Sequence, residues 1–398
     1  MNVPKLRFKE FNDEWQPINL ADIFQYFSTN SLSREQLSES GILKNLHYGD
    51  IHRKYNSIVN ETKEITSYVK DINYINKYEL LKNNDLIFAD ASEDYEGIGK
   101  AVEVVNVNNN TVSGLHTILA RDNSNVFAPM FKGYYFNSPT VHNQIRVLAN
   151  GFKVYGISKE VINKLNIKIP SINEQSKIAN TLYLLDEKIE LQTKKIEDLK
   201  LFKKGLIEFE FFNSNYNEIN LKEILKERKT YSEKGLEFPH VTLSKDGIYD
   251  KTGRYNRDFL VKSDDKKYKI TYLNDLCYNP ANLKFGVICL NEYGSAIFSP
   301  IYVTFVIKNI ANPKYIKYYV TRNNFINAIR KYEQGTVYER MAVAPEDFLK
   351  FSIKLPNIEI QNKFVAKLSK LDQKIELENL KLSRYIKLKK GLMQNIFV

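Results

Sequence analysis

Two segments of the chain interleave basic, amide and tyrosine side chains around glycines. They are LHYGDIHRKYN (46–56) and SKDGIYDKTGRYNRD (244–258). An arginine can donate two hydrogen bonds to the edge of guanine and an asparagine can pair with adenine, so such side chains can read nucleic-acid bases. The candidate contacts are Tyr48, His52, Arg53, Lys54, Asn56, Lys245, Tyr249, Arg254, Tyr255, Asn256 and Arg257. The alternative for each of them is an ordinary solvated loop.

A second candidate surface follows two glycines, Gly151 and Gly335, which come after similar predicted helices. Glycine permits a close approach of the backbone to a ligand, and polar and aromatic side chains follow both glycines. These side chains are Lys153, Tyr155, Thr336, Tyr338 and Arg340. The alternative is a structural connector into the next helix, and both interpretations stay open.

Motifs of catalysis are missing from the sequence. Enzymes that methylate a base amino group usually carry an N/D-P-P-Y/F loop. The nearest segment here, residues 279–282 (NPAN), lacks the second proline and the aromatic residue. GIGK (97–100) would need a glycine at Asp94 to form a phosphate-binding loop, so a turn after a strand is the better interpretation. We therefore predict no catalytic residue in this chain.

The histidines and cysteines do not have the spacing of metal ligands. Among the five histidines, His47 and His52 flank a glycine in what reads as a loop. The two cysteines, Cys277 and Cys289, make neither a CxxC pair nor a disulfide framework. We predict no metal site.

Length and charge indicate a two-domain protein with a polyanionic partner. The 398 residues exceed one ordinary domain core. The formal net charge is +11, but residues 1–150 hold 15 basic and 18 acidic side chains, so the positive excess lies further along the chain. Such a balance favours nucleic-acid binding only weakly. Because no run of eighteen apolar residues and no apolar signal core occurs, we expect a cytoplasmic protein without a membrane span.

An internal duplication organises the chain. Residues 167–212 align with residues 353–398 without a gap at an offset of 186, and 19 of 46 positions are identical. The identical positions include an LD pair, a KIEL tetrad and a KKGL tetrad in each copy. Chance does not give such a match, so the two segments are repeats of one element.

Each repeat predicts one long helix. Apolar residues recur at alternating spacings of four and three over about four heptads, the pattern of a coiled-coil seam. Ser171 with Glu174 has the spacing of a capping box, whereas Asn357 can cap the second helix without a reciprocating glutamate. Matched polar breaks at Gln192 and Glu378 favour helices that pair with each other over two unrelated surface helices. The seam consists of Ile178, Leu182, Leu185, Ile189, Ile196, Leu199, Phe364, Leu368, Leu371, Ile375, Leu382 and Tyr385.

The segments between the helices are also duplicated, though faintly. INLADIF (18–24) matches INLKEIL (219–225), and NNDLIFA (83–89) matches LNDLCYN (273–279). β-Branched and alternating runs predict strands, so both units are expected to be α/β or α+β. The predicted fold is therefore two such domains separated by two long helices that pair as a coiled coil. The predicted boundaries are 1–165 and 213–352 for the domains, and 166–212 and 353–398 for the helices.

These repeats and the opening PKLRFKEFNDEWQPINLADIF resemble the specificity (S) subunits of type I restriction–modification systems over essentially the whole chain. The resemblance implies two target-recognition domains, each reading one half of a bipartite, asymmetric target in double-stranded DNA. It implies that the two long helices form an antiparallel coiled coil. This helix pair then sets the spacer and docks two modification (methyltransferase) subunits, which restriction subunits join. S-adenosylmethionine, ATP and magnesium are then expected on those partners, with no cofactor on this chain. The alternatives are a coiled-coil scaffold without a DNA role and the recognition partner of a methylating type II restriction enzyme.

Overall fold

The computed structural model of the protein describes residues 3–65, 67–75, 78–149, 151, 155–212, 216–232, 237–250, 267–334 and 342–398. The chain forms two compact units. The first comprises residues 1–194 and 380–398, and the second comprises residues 195–379. The unit boundaries therefore fall inside the long repeated segments, not at their ends.

The first unit mixes strands and helices. Its described strands are β1 (Gln16–Ile18), β2 (Phe24–Phe27), β3 (Leu37–Ser38), β4 (Lys44–Leu46), β5 (Ile58–Asn60), β6 (Tyr68–Val69), β7 (Leu86–Ala89), β8 (Ala91–Ser92), β9 (Ala101–Val105), β10 (Thr111–Ser113), β11 (Thr117–Asp122), β12 (Tyr155–Gly156) and β13 (Ile167–Ile169). Its helices are α1 (Leu20–Ile23), α2 (Tyr48–Arg53), α3 (Glu61–Glu64), α4 (Phe131–Phe136), α5 (Pro139–Leu148), α6 (Lys159–Asn163) and α7 (Ile172–Phe212), which continues into the second unit. Short 3-10 turns occupy Arg34–Gln36 and Ile72–Tyr74.

A five-stranded sheet in the order β2-β11-β7-β9-β5 forms the centre of the first unit. All four residues of β7 are buried, and alternate side chains of a strand point to opposite faces. Accordingly Leu86 and Phe88 pack in one apolar cluster, while Ile87 and Ala89 pack in another. The uninterrupted apolar run LIFA thus reflects a strand that is covered on both sides.

The second unit repeats this construction. Its described strands are β14 (Glu218–Asn220), β15 (Leu225–Glu227), β16 (Tyr231–Ser232), β17 (Val241–Ser244), β18 (Gly247–Asp250), β19 (Tyr268–Thr271), β20 (Leu276–Tyr278), β21 (Ile288–Leu290), β22 (Ala296–Phe298), β23 (Val303–Ile307) and β24 (Ser352–Lys354). Its helices are α8 (Leu221–Ile224), α9 (Pro313–Val320), α10 (Asn323–Ile329), α11 (Pro345–Leu349) and α12 (Ile358–Asn395), which continues into the first unit. Further 3-10 turns occupy Pro280–Phe285 and Arg330–Tyr332.

The faint duplication outside the long helices is a duplication of structure. The order β15-β23-β20-β21 repeats β2-β11-β7-β9. Each INL strand pairs antiparallel with the strand that precedes a long helix, β1 with β13 and β14 with β24. The two NDL turns also match, because Asn84 and Asn274 both have a positive φ, of 69° and 68°. Asparagine tolerates this left-handed conformation better than most residues. The predicted fold class is confirmed.

The repeated segments form the long helices α7 and α12. Within the second unit, Lys195 pairs with Glu378 at 3.0 Å and Lys203 pairs with Asp372 at 2.5 Å. The partners on α12 move towards its N-terminus as those on α7 move towards its C-terminus, so the helices run antiparallel. Glu378 is one of the predicted polar breaks in the seam, and it is buried. Its carboxylate is neutralised by Lys195, so the two helices stay paired at this position.

The predicted seam residues face the interior of the units. None of them is exposed, whereas most residues between them are. The buried members are Ile178, Leu182, Leu185, Ile196 and Leu368, and the half-buried members are Ile189, Leu199, Phe364, Leu371, Ile375, Leu382 and Tyr385.

The two helix starts differ as their sequences do. Asn357 Oδ1 accepts from the backbone N–H of Ile360 at 3.0 Å, which is the predicted cap. Ser171 Oγ accepts from the N–H of Glu174 at 3.4 Å, but both carboxylate oxygens of Glu174 accept from Arg7, at 2.8 and 2.7 Å. The glutamate of the expected capping box therefore anchors the N-terminal segment of the chain.

Candidate nucleic-acid interface

The first predicted segment contains a helix, where the sequence suggested a glycine turn and a loop between His47 and His52. His47 caps α2, since its Nδ1 accepts from the backbone N–H of Gly49 at 3.0 Å. Asp50 points inward and is held by both terminal nitrogens of Arg34, at 2.9 and 3.0 Å. Burial acts to raise the pKa of Asp50, but the hydrogen bonds and charge of Arg34, together with Lys54, hold this pKa below its usual value.

The candidates on this segment divide into two groups. Arg53, Lys54 and Asn56 are exposed, although Lys54 also pairs with Asp50 at 3.5 Å. Tyr48 and His52 are half-buried. The Tyr48 ring lies 6.1 Å from the ring of His52, and His52 Nε2 lies 2.9 Å from the carbonyl oxygen of Ala91. The first three side chains can therefore reach a partner, while the aromatic pair positions the helix.

GIGK (97–100) is a turn between β8 and β9, as predicted. Lys100 Nζ donates to the carbonyl oxygens of His52 at 3.3 Å and Tyr55 at 2.7 Å. Burial lowers the pKa of Lys100, and the nearby charge of Lys389 lowers it further. This lysine fixes the C-terminal end of α2, so it supports the exposed residues there.

Sequence reasoning missed two residues beside α2. The His116 ring lies 5.2 Å from that of Tyr48, and His116 Nδ1 lies 3.2 Å from Asp90 Oδ1. Burial raises the pKa of Asp90, whereas the charge and hydrogen bond of His116 lower it less. Asp90 also lines an open groove of about 410 Å³. In the sequence, Asp90 and His116 each lie next to a short apolar run that predicts a strand. Many residues share this feature, so it did not identify these two.

The second predicted segment begins as a hairpin. β17 and β18 pair from Val241↔Asp250 to Ser244↔Gly247, which leaves Lys245 and Asp246 in the turn. Gly247 has a φ of +142°, a region that side chains avoid. Lys245 is exposed, and Tyr249 is 50% exposed. The remaining candidates of this segment, Arg254, Tyr255, Asn256 and Arg257, lie outside the described residues.

Lys245 belongs to a basic groove that sequence reasoning missed. The groove lies within the second unit and has a volume of about 580 Å³. We call it the lysine groove; its charged side chains are Lys200, Lys203, Lys204, Lys245, Arg322, Glu208 and Asp372. Five cations thus face two carboxylates. Its sequence signals are Lys245, which belongs to a predicted segment, and the KKGL tetrad, which by itself indicates only the repeat.

The loops after Gly151 and Gly335 are only partly described. Tyr155 begins β12, which pairs with β8, and its ring lies 5.2 Å from that of Tyr95. This residue therefore has a structural role in joining two strands. Lys153, Thr336, Tyr338 and Arg340 lie outside the described residues.

The cysteines face each other across adjacent strands, Cys277 on β20 and Cys289 on β21, and both are buried free thiols. Burial raises the pKa of both thiols, that of Cys289 to about 12, so they are unreactive core residues. In the described part of the chain, no three His, Cys, Asp or Glu side chains are grouped so that they could hold a metal ion. No helix there combines the length and the apolar character needed to cross a membrane.

Comparisons with known proteins agree with this architecture. Residues 12–201 match the family model of the type I restriction modification DNA specificity domain. The chain is 26% identical over 211 residues to a protein of Methanocaldococcus jannaschii assigned as the type I restriction enzyme MjaX specificity subunit. That alignment covers 52% of this chain and 47% of the relative, so the chain spans about half the length of the curated relative it matches.

Solved structures show the same fold. The S subunit of a type I restriction–modification system from M. genitalium superposes with a TM-score of 0.55 at 15% identity, over 100% of this chain and 99% of that one. A chain from a study of complex assembly and conformational transition of the type I R-M system gives 0.56 at 14% identity, over 95% and 96%. At these identities the likeness concerns the fold, and the family resemblance rests on the sequence matches.

Proposed function

We propose, from the premise that residues 12–201 belong to the family of type I restriction modification DNA specificity domains, that this chain is the sequence-specificity subunit of a type I restriction–modification complex. In this proposal each unit reads one half of a bipartite, asymmetric target in double-stranded DNA. The exposed residues at the end of α2 act in the first unit and the β17–β18 hairpin acts in the second.

The observation that carries the proposal is the duplicated scaffold. Both units share a sheet order, a closing strand pair and the start of a long helix. Outside that framework they differ, since the chain forms α2 between β2 and β7 but the β17–β18 hairpin between the corresponding strands β15 and β20. A protein that reads two different half-sites of DNA needs different side chains at the bases of each half-site. Two copies of one scaffold with different outer elements can provide them.

The proposal assigns catalysis to other subunits. Two modification subunits dock on the helix pair, and restriction subunits join them in the cleavage complex. S-adenosylmethionine, ATP and magnesium belong to those partners, and this chain catalyses no step. Apolar side chains that are exposed on α7 and α12 are available for this docking. They are Leu184, Leu191, Leu201, Phe202, Phe209, Phe212, Leu377, Leu380, Ile386 and Leu388.

A methylation map tests the proposal directly. The chain is expressed with its cognate modification subunit in cells that lack other methyltransferases, and every methylated adenine in the genome is located. We expect one asymmetric motif, split by a spacer of fixed length and methylated on both strands. A matched culture with the modification subunit alone should show none.

Two results would count against the proposal. If the subunits co-purify but no motif is methylated, the chain is a scaffold and not a reader. If they do not associate, the assignment to a type I complex is wrong.

A further inference from the structure

Inside the lysine groove, two of the five cations are already used by the fold. Lys203 Nζ pairs with Asp372 Oδ1 at 2.5 Å, and the hydroxyl of Tyr318 donates to the same carboxylate at 3.4 Å. The guanidinium of Arg322 lies over the rings of Phe211 and Tyr319 at 4.4 and 4.5 Å, with Glu208 3.6 Å away. Both cations hold helices and globular parts of the second unit together.

The other three cations, Lys200, Lys204 and Lys245, have no such task. All three are exposed, and none forms an ion pair with any residue that the structure describes. Lys200 and Lys204 stand four residues apart on one face of α7, where like charges repel and destabilise a helix slightly. The groove therefore holds three more cations than carboxylates, and these three lysines form no ion pair within the described part of the second unit.

The two lysines of each KKGL tetrad differ in their contacts. The first lysine of each tetrad pairs with the aspartate of the LD motif in the other repeat, Lys203 with Asp372 and Lys389 with Asp186. The second lysine of each, Lys204 and Lys390, is exposed. The fold thus accounts for one lysine of the pair in both copies and leaves the other facing solvent.

We propose that Lys200, Lys204 and Lys245 bind the phosphate backbone of DNA, so that helix α7 contacts the duplex itself. This inference rests on the proposed function. Phosphates are the ligands that flexible lysines neutralise without reading sequence. Lys245 stands in the turn of the hairpin that is predicted to approach bases, so a strand read by that unit passes beside the two helix lysines. An acidic protein surface is the other polyanion that could lie here, and the test distinguishes it.

The test compares two triple variants of the chain in complex with its modification subunits. K200Q/K204Q/K245Q removes the three spare charges, and K367Q/K370Q/K374Q removes three exposed lysines of α12 that do not line the groove. Binding is measured between 50 and 200 mM salt, to a duplex with the methylated motif and to one with the motif scrambled.

Each neutralised phosphate contributes about −0.9 to the slope of log affinity against log salt concentration. For the groove variant we expect the magnitude of this slope to fall by about 2 to 3. We also expect the affinity for both duplexes to fall by the same factor and the methylated motif to stay the same. The α12 variant should match the wild type.

An unchanged slope in the groove variant overturns the inference while leaving the proposed function intact. Loss of co-purification with the modification subunits overturns it in favour of an acidic protein surface, and an altered motif overturns it in favour of base reading. Failure of the wild-type complex to bind either duplex refutes the proposed function instead.

Discussion

A buried glutamine, Gln175 in the first repeat and Gln361 in the second, shows why some residues are identical in both repeats. Gln361 Oε1 accepts from the N–H of Asn312 at 2.7 Å, and its Nε2 donates to the carbonyl oxygens of Ile310 and Pro356 at 3.3 and 2.8 Å. Gln175 makes the equivalent three contacts in the first unit, to Ala128, Val126 and Pro170. One glutamine thus satisfies three backbone groups where each long helix meets its globular part.

Replacement of Gln361 by leucine should lower the free energy of unfolding. The leucine has a similar size but leaves buried backbone groups without partners, at a cost of about 1–3 kcal/mol. Q373L, at an exposed position of the same helix, is the control. Urea unfolding followed by circular dichroism measures both variants. Equal stability of Q361L and Q373L would show that water or a shifted backbone replaces the lost bonds.

His47 makes the start of α2 sensitive to acid. Burial lowers the pKa of His47, and the charge of Arg34 lowers it further. Its Nδ1 must be unprotonated to accept from Gly49, so protonation breaks the cap. The unfolded chain takes up this proton near pH 6.5, before the folded chain does, so stability falls as the pH drops from there towards the lower folded-state pKa.

H47N removes this titration and keeps a capping side chain. We expect H47N to lose less free energy of unfolding than the wild type between pH 7.5 and pH 5.5, measured by denaturant titration at several pH values. Parallel pH profiles for the two proteins would mean that other groups dominate the acid response.

Among the elements, those with long patterns were predictable and the short ones were not. The long helices follow from a seam repeated over about four heptads. Helix α2 has six residues and a histidine cap, so it offered neither a full period nor a usual capping residue, and it read as a loop. The lysine groove gathers α7, the β17–β18 hairpin and Arg322, which are far apart in sequence. No local sequence pattern predicts that these elements lie side by side.

The C-terminal end of α12 and the residues after it pack in the core of the first unit, which a substitution can test. Phe397 is 5% exposed, and its ring lies 5.9 Å from Phe131 and 5.4 Å from Tyr135. F397A should therefore destabilise this unit by about 3–5 kcal/mol, the usual cost of removing a buried aromatic ring.

F212A is the matched control for F397A, because Phe212, at the end of α7, is 85% exposed. Hydrogen exchange resolved by segment should show the loss in residues 1–194 of F397A and none in F212A. A uniform loss over both units would contradict this local packing.

At the scale of the whole molecule, the duplication was predictable from an ungapped offset of 186, and the fold that it implied is confirmed. The contact residues stay predictions, since the sequence repeats only where the scaffold does. Where the two units differ in sequence, a comparison of one unit with the other cannot identify the residues that contact DNA.

We propose that each unit reads its half of the target independently. To test this, residues 213–343 are replaced by the same region of a relative that has another target. Because each unit has its own sheet and core, we expect only one half of the methylated motif to change. Methylation mapping of the hybrid gives the answer, with the parental chains as controls. A change in both halves would mean that the units do not read independently.

The division of the chain into units has a consequence for its synthesis. A ribosome that has released residues 1–194 has not yet made residues 380–398, which include Ile396 and Phe397 of the same core. The first unit to emerge is therefore the last to be completed, and it must wait with part of its apolar surface uncovered. Premature termination before residue 380 would therefore leave the core of the first unit incomplete.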